Sequence, residues 1–321
     1  MTPPRTLLSI QYLRGLAAVA VVAQHTDRMS TGLGQTGVDV FFIISGFVMV
    51  HASGREPLPM EFLRARVMRL VPLYWLVTLA TAAVLGVTDM TRILLSLAFW
   101  PHLAPIGLRL PVMLQGWSLN LEMQFYLLFA ATLLLPERRR LLALTAIIAT
   151  TAGMTVATSY VKDDAASNMY PIVLEFLGGT WLCRAWQRGW MRQMPVGLLL
   201  AAGLALLAMQ ARWPAPVPWR CLQWGVPALL VVAGAVGLEA GGRLPAVPGF
   251  RTLGDASYSL YLTHLFVLAG LHPMLAPLPA ILAVPSAILG CTAVSLLVHR
   301  LVERPLGQAL RPARPMLLPA N

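Results

Sequence analysis

Several side chains able to bind charge or move a proton stand in stretches otherwise suited to lipid. The segment 7–26 carries Gln11, Arg14 and His25 in an apolar run. Arg14 and His25 are 11 residues apart. A helix turns about 1100° over that distance, leaving them within about 20° of one face and about 16.5 Å apart in height. A charge at mid-bilayer costs about 2.5–3.5 kcal/mol on lenient insertion scales, so such residues usually face a cavity or a partner. A snorkelling arginine and an interfacial histidine is the plainer reading; the shared stripe with Gln11 favours the cavity.

Three more stretches repeat the theme. GVDVFFIISGF places Asp39 and Gly46 on one face. Asp39 enters near the outer side, either within reach of His25 or as an acid paired with a helix N-terminus. Ser45 and Gly46 read as small residues that let helices pack closely. WSLNLEMQFY puts Ser118, Glu122 and Tyr126 on one strip below Trp117, an interfacial anchor. Glu122 comes near the height of His25, where a carboxylate would set an imidazole's tautomer and raise its basicity; an ion pair with Arg14 competes. LGDASYSLYLTHLF aligns Ser257, Tyr261 and His264 on one polar stripe. These are buried hydrogen-bonding side chains or contacts to a substrate.

FLRARVMRLVP sets Arg66 and Arg69 three residues apart on a helix entering the membrane. They serve as topology signals and lipid contacts, or as a guanidinium pair for a phosphate-bearing ligand. His102 and His272 fall in outer loops, and His299 with Glu303 reads as a local pair.

The elements that must hold these residues follow from composition. Of 321 residues 57% are hydrophobic and 12% charged, and mean hydropathy is +0.69. A soluble domain carries about 25% charged residues, so a water-soluble globule and a disordered chain are both excluded. A span needs roughly 20 apolar residues and a short loop roughly ten more. The expectation is an all-α, polytopic membrane bundle of about ten transmembrane helices: 7–26, 36–52, 69–88, 117–135, 140–160, 170–186, 194–211, 222–240, 253–271 and 279–301. The stretch 92–104, broken by Pro101 and Pro105, reads as re-entrant or interfacial. Arg14 interrupts the apolar run a cleaved signal would need. No internal repeat stands out, which disfavours a transporter built from two similar halves.

The net charge of +11 invites a nucleic-acid partner, but its distribution points to orientation. With the N-terminus inside, the inner segments hold 17 of the 24 basic residues and the outer segments 6, with Arg14 in the bilayer. The positive-inside rule then puts both termini in the cytoplasm. Cys183, Cys221 and Cys291 are far apart and show no metal or redox spacing.

QYLRGLAAVAVVAQH, GVDVFFIISGFVM, RARVMRLVPLYW, WSLNLEMQFYLL, EFLGG, LGDASYSLYLTHL and the closing VERP occur in that order. Together they resemble the membrane acyltransferase family 3, the bacterial O-acyltransferases of surface glycans. The match runs from about residue 9 to 305, and the opening QYLRG is most similar to the exopolysaccharide O-acetyltransferase branch. His51 and Glu56 mimic the acid spacing of glycerolipid acyltransferases, in the wrong surroundings.

The resemblance implies transfer of an acyl group, commonly acetyl, from cytoplasmic acyl-coenzyme A to a sugar hydroxyl. Acetyl-coenzyme A is then a co-substrate, with no bound cofactor and no metal. It maps an essential histidine onto His25, a helix-one arginine onto Arg14, and the R-x-x-R signature onto Arg66 and Arg69. It also maps an aspartate onto Asp39, a glutamate onto Glu122, and a tyrosine and histidine onto Tyr261 and His264. Residues 1–305 would form the transmembrane domain and 306–321 a short cytoplasmic Arg/Pro tail. Some family members carry a further extracytoplasmic domain; in this sequence, transfer is expected to finish in the membrane part or to be passed on.

The expected scheme gives Arg66 and Arg69 the coenzyme phosphates, Arg14 the path or the charge midway, and Tyr126, Tyr261 and His264 substrate contacts. His25, oriented by Glu122 or Asp39, deprotonates the sugar hydroxyl or is itself acylated. The expected location is the bacterial inner membrane, multi-pass. Expected partners are the acyl donor, a sugar or lipid-linked glycan, the bilayer and polysaccharide-assembly proteins. A glycan-lipid flippase or exporter, or an assembly scaffold, are the rival readings.

Overall fold

The computed structural model describes residues 7–26, 32–53, 58–100, 111–162, 171–212 and 220–310, with side chains left out for 155–162. Arg5, Arg28, Arg55, Glu56, His102, Arg109, Arg311 and Arg314 lie outside the described residues, as do the side chain of Lys162 and the tail from 311. All regular structure among the described residues is helical. In chain order the helices are α1 (Leu8–Gln24), α2 (Thr36–Ala52), α3 (Pro59–Val84), α4 (Met90–Leu97), α5 (Gly116–Thr132), α6 (Glu137–Lys162) and α7 (Leu174–Gln187). They continue with α8 (Val196–Gln210), α9 (Val226–Ala240), α10 (Pro248–Asp255), α11 (Ser257–Leu275), α12 (Ala280–Val298) and α13 (Arg304–Ala309).

Among the described residues, four stretches are long and apolar enough to cross a membrane: Leu33–Ala52, Pro59–Val84, Cys221–Ala240 and Ala280–Ala309. Leu8–Gln24 and Val196–Gln210 are apolar but shorter. α11 has 19 residues, and its serines, tyrosines and histidines lower its hydropathy.

Two boundaries differ from expectation, each for a local reason. The third helix begins at Pro59, ten residues before the expected 69, because a proline at the first helical turn is already set for a helix. Arg66 and Arg69 therefore lie well inside α3. The helix expected over 253–271 is two, α10 and α11, parted at Ala256, whose φ of −86° and ψ of 0° leave the helical region.

Close backbone approach fixes the frame. A methyl group on Gly46 would overlap the carbonyl oxygen of Phe176, and one on Gly179 would overlap that of Ile43. Each helix thus presents a glycine notch to the other's backbone, which is how helices gain contact area where lipid supplies no hydrophobic drive. α1 is anchored at its start by a distant acid. Glu239 accepts hydrogen bonds from Leu8 N at 2.9 Å, Ser9 N at 2.8 Å and the Ser9 hydroxyl at 2.6 Å. Leu7, at the N-cap position, offers no side-chain acceptor, so Glu239 does the capping from α9.

Candidate functional site

The polar residues of α1, α2, α3, α5 and α11 converge on an open cavity, whose empty space together with the solvent at its mouth amounts to about 730 Å³. Arg14, Arg66 and Arg69 line it together with Glu122, Tyr126, Ser45, Ser118, Tyr258 and Tyr261. Helical periodicity explains the α5 contribution, since Ser118, Glu122 and Tyr126 are spaced four apart and share a face. Arg66 and Arg69 reach the cavity because α3 starts early enough to carry both in regular helix.

Charge in the cavity is unbalanced. Three arginines line it against one carboxylate, Glu122. Glu122 is engaged elsewhere: Ser45 donates to its Oε1 at 2.8 Å, and the Tyr126 hydroxyl donates to the same oxygen. None of the three arginines forms an ion pair with a described carboxylate. Arg66 lies over the Phe62 ring at 5.4 Å, and its buried Nε has no hydrogen-bond partner among the described residues. Such a group is what an anionic ligand satisfies, because guanidinium pairs bind phosphate through parallel N–H donors.

Tyr261 forms a wall of the cavity. Its hydroxyl lies 2.6 Å from the Ser118 Oγ and donates to Gln115 O at 3.1 Å. The Gln115 side chain in turn donates to Leu262 O at 2.8 Å, and Phe41 packs edge-on against Tyr261 with centroids 5.8 Å apart. Tyr258 donates to Leu70 O at 2.6 Å, tying α11 to α3. One turn further along α11, the His264 ring lies 6.0 Å from that of Tyr261 and 5.0 Å from that of His25.

The structure therefore divides the expected residues into three places. Arg14, Arg66, Arg69, Glu122, Tyr126 and Tyr261 share the cavity. His25 and His264 form a pair next to it and do not line it. Asp39 is in a third location, fully buried, where Arg220 donates to both its oxygens at 2.6 and 3.1 Å. Arg220 also lies 3.9 Å from Glu175.

The expected orientation of His25 by Glu122 or Asp39 is not made. Glu122 holds Tyr126 and Ser45, Asp39 holds Arg220, and His25 Nδ1 donates to the Val21 carbonyl of its own helix at 2.8 Å. The alternative pairing of Glu122 with Arg14 is also absent as a contact. Ser45, expected only to ease packing, is a partner of Glu122, whereas Gly46 does serve close packing. His299 and Glu303 form the expected local pair at 2.9 Å. His272 falls in the last turn of α11 instead of an outer loop.

Two residues missed in the sequence are Arg220 and Glu175. Arg220 follows the Pro-rich stretch 214–218 and counts there as one more loop charge; Glu175 opens the EFLGG motif without an assigned task. Their partner Asp39 is 181 residues from Arg220, a separation that no local pattern reveals.

A family profile described as an acyltransferase domain, acyltransferase family 3, matches residues 7–300. The chain is 37% identical over 308 residues to the exopolysaccharide production protein ExoZ of Rhizobium meliloti (strain 1021), covering 88% of this chain and 92% of that one. It is 30% identical over 296 residues to BcsY of Komagataeibacter xylinus, which carries the name membrane-bound transacylase, covering 82% and 73%. It is 26% identical over 326 residues to the acyltransferase MdmB of Streptomyces mycarofaciens, covering 85% and 82%. No solved structure matches the chain.

Proposed function

We propose, starting from the fact that the chain belongs to the acyltransferase family 3, that it moves an acetyl group from acetyl-coenzyme A to a hydroxyl of an exopolysaccharide. One observation carries the donor half of this reading. Three cavity arginines face a single carboxylate that is already bound to Tyr126 and Ser45. Arg66 and Arg69 hold the coenzyme phosphates, and Arg14 steadies charge further along. Tyr126 and Tyr261 line the thioester's path, and His25 takes the proton of the attacking hydroxyl. The likeness to an exopolysaccharide production protein supports a glycan acceptor, which His264 also contacts. Asp39 belongs to the supporting frame through Arg220, and Glu122 positions Tyr126 and Ser45 in the cavity wall.

In this reading the protein sits in the bacterial inner membrane with about ten crossings and both ends in the cytoplasm. The donor enters from the arginine-rich inner side. Polysaccharide-assembly proteins are the natural neighbours of such an enzyme.

The test uses membranes from cells making wild type or His25→Ala at equal levels, supplied with coenzyme A carrying a radiolabelled acetyl group. Base-labile label on the glycan that disappears in His25→Ala is the expected result. Equal label in both samples retires His25 as the base. Wild-type protein that neither binds nor turns over acetyl-coenzyme A favours a glycan-lipid exporter instead.

A further inference from the structure

His25 closes α1, and His264 stands one helical turn beyond Tyr261 on α11; their rings are 5.0 Å apart between centroids and tilted by 60°. Each ring uses Nδ1 on its own helix. His25 Nδ1 donates to Val21 O at 2.8 Å, and His264 Nδ1 donates to Tyr261 O at 2.7 Å. A carbonyl oxygen only accepts, so each Nδ1 carries the proton and each neutral ring is left with a bare lone pair on Nε2.

His264 is fully buried, and its Nε2 has no hydrogen-bond partner among the described residues. A buried acceptor without a donor is uncommon in a folded protein and calls for an explanation. The surroundings supply none. Ala18, Val22, Leu260 and Cys291 form an apolar cluster between α1, α11 and α12, and the Cys291 thiol leans on the His264 carbonyl at 3.9 Å. Two neutral imidazoles presenting lone pairs cannot satisfy each other. The buried His264 Nε2 requires a hydrogen-bond donor, the His25 Nε2 beside it can accept from the same one, and a hydroxyl is such a donor.

Resting on the acyltransferase reading above, we infer that His25 and His264 work as a single paired base, with the acceptor hydroxyl held by both Nε2 atoms. The hydroxyl proton is then shared by the two rings. As the hydroxyl oxygen bonds to the acyl carbon, the carbon–sulfur bond breaks and the pair takes the proton. Coenzyme A departs as thiolate, and the same proton returns to it to give the thiol. Neither ring carries the positive charge alone, and both stay fixed by their backbone carbonyls throughout. His264 thereby becomes a second catalytic residue in addition to a contact.

The test compares His25→Gln, His264→Gln and the double variant in purified full-length protein and in membranes carrying the native glycan. Glutamine keeps hydrogen-bonding capacity but does not titrate. Binding of labelled acetyl-coenzyme A should stay within about twofold of wild type in all three. Each single variant should lose about 100-fold or more in transfer, the range for a lost general base. The double variant should be no slower than the slower single, because groups acting as a unit give non-additive losses. Transfer by His264→Gln within about threefold of wild type overturns the pair, and so do losses that multiply in the double variant. If His264→Gln loses donor binding, His264→Asn replaces it under the same expectation. Failure of wild type itself to bind acetyl-coenzyme A or to label the glycan sinks the acyltransferase reading, a result distinct from failure of the pair.

Discussion

Replacing Arg220 by glutamine would remove the cation that Asp39 and Glu175 share. Arg220 lies at 2.6 and 3.1 Å from the two Asp39 oxygens and 3.9 Å from Glu175, while the acid side chains are 0% and 3% exposed. Neither Glu175 oxygen makes a hydrogen bond within 3.5 Å among the described residues, and the Arg220 contact at 3.9 Å is an ion pair only. Breaking a buried pair by deleting one partner costs about 3–5 kcal/mol, because the remaining charge is stranded. For a chain of this size about 1 kcal/mol corresponds to roughly 2–4 °C in Tm, so the loss is on the order of 10 °C. The assay is the fraction of detergent-solubilised protein that stays monodisperse after heating, read alongside acetyl transfer at a temperature where the variant remains folded. Asp39→Asn combined with Arg220→Gln should recover much of the loss, since the stranded charge is then gone from Asp39. Residual transfer should track the folded fraction in both variants. If Arg220→Gln melts with wild type yet abolishes transfer, the cluster performs chemistry and its assignment to the frame is wrong.

Arg66→Gln and Arg69→Gln should each weaken acetyl-coenzyme A binding about tenfold or more, since a charge-assisted hydrogen bond is worth about 1.5–3 kcal/mol, with kcat at saturation little changed; equilibrium binding with labelled donor reads this. Arg66→Lys should fall between, because an ammonium keeps the charge but loses the fork. Gly46→Leu should abolish stable protein, as its side chain must displace the Phe176 backbone; size-exclusion profiles decide. Glu239→Ala should cost about 1 kcal/mol or somewhat more through loss of the α1 cap, seen as a lowered Tm with donor affinity intact.

Much of the cavity was legible because membrane helices make polar residues conspicuous. Arg14, Glu122, Tyr126 and Tyr261 each interrupt an apolar run, and regular helix spacing turned them to the common cavity. Arg66 and Arg69 were equally visible on a helix entering the membrane, although the expected span began only at 69 and the helix starts at Pro59. What stayed hidden depends on contacts across great sequence distance. Glu239 caps a helix some 230 residues away, and Arg220 meets Asp39 across a similar span. Identical residue types in identical local settings would serve topology alone. The orienting partner of His25 is the Val21 carbonyl, which every helix carries and no sequence pattern marks.

The glycine contact between α2 and α7 has a consequence for how a bulky donor gains entry. Two backbones in direct contact cannot slide past one another without collision, so these helices move only together. Arg220 ties that pair to the start of α9 through Asp39, and Glu239 ties the end of α9 to α1. Four of the helices thus behave as one rigid keel. The opposite flank, α3 with α11 and α5, is tied together by Tyr258 to Leu70 and Gln115 to Leu262, and it packs on α2 and α7 through an apolar core in which Phe125 stacks on Phe176 at 4.5 Å. Arg14 on α1 and Ser45 on α2 line the cavity from that keel, so a bulky ligand meets one wall that does not yield.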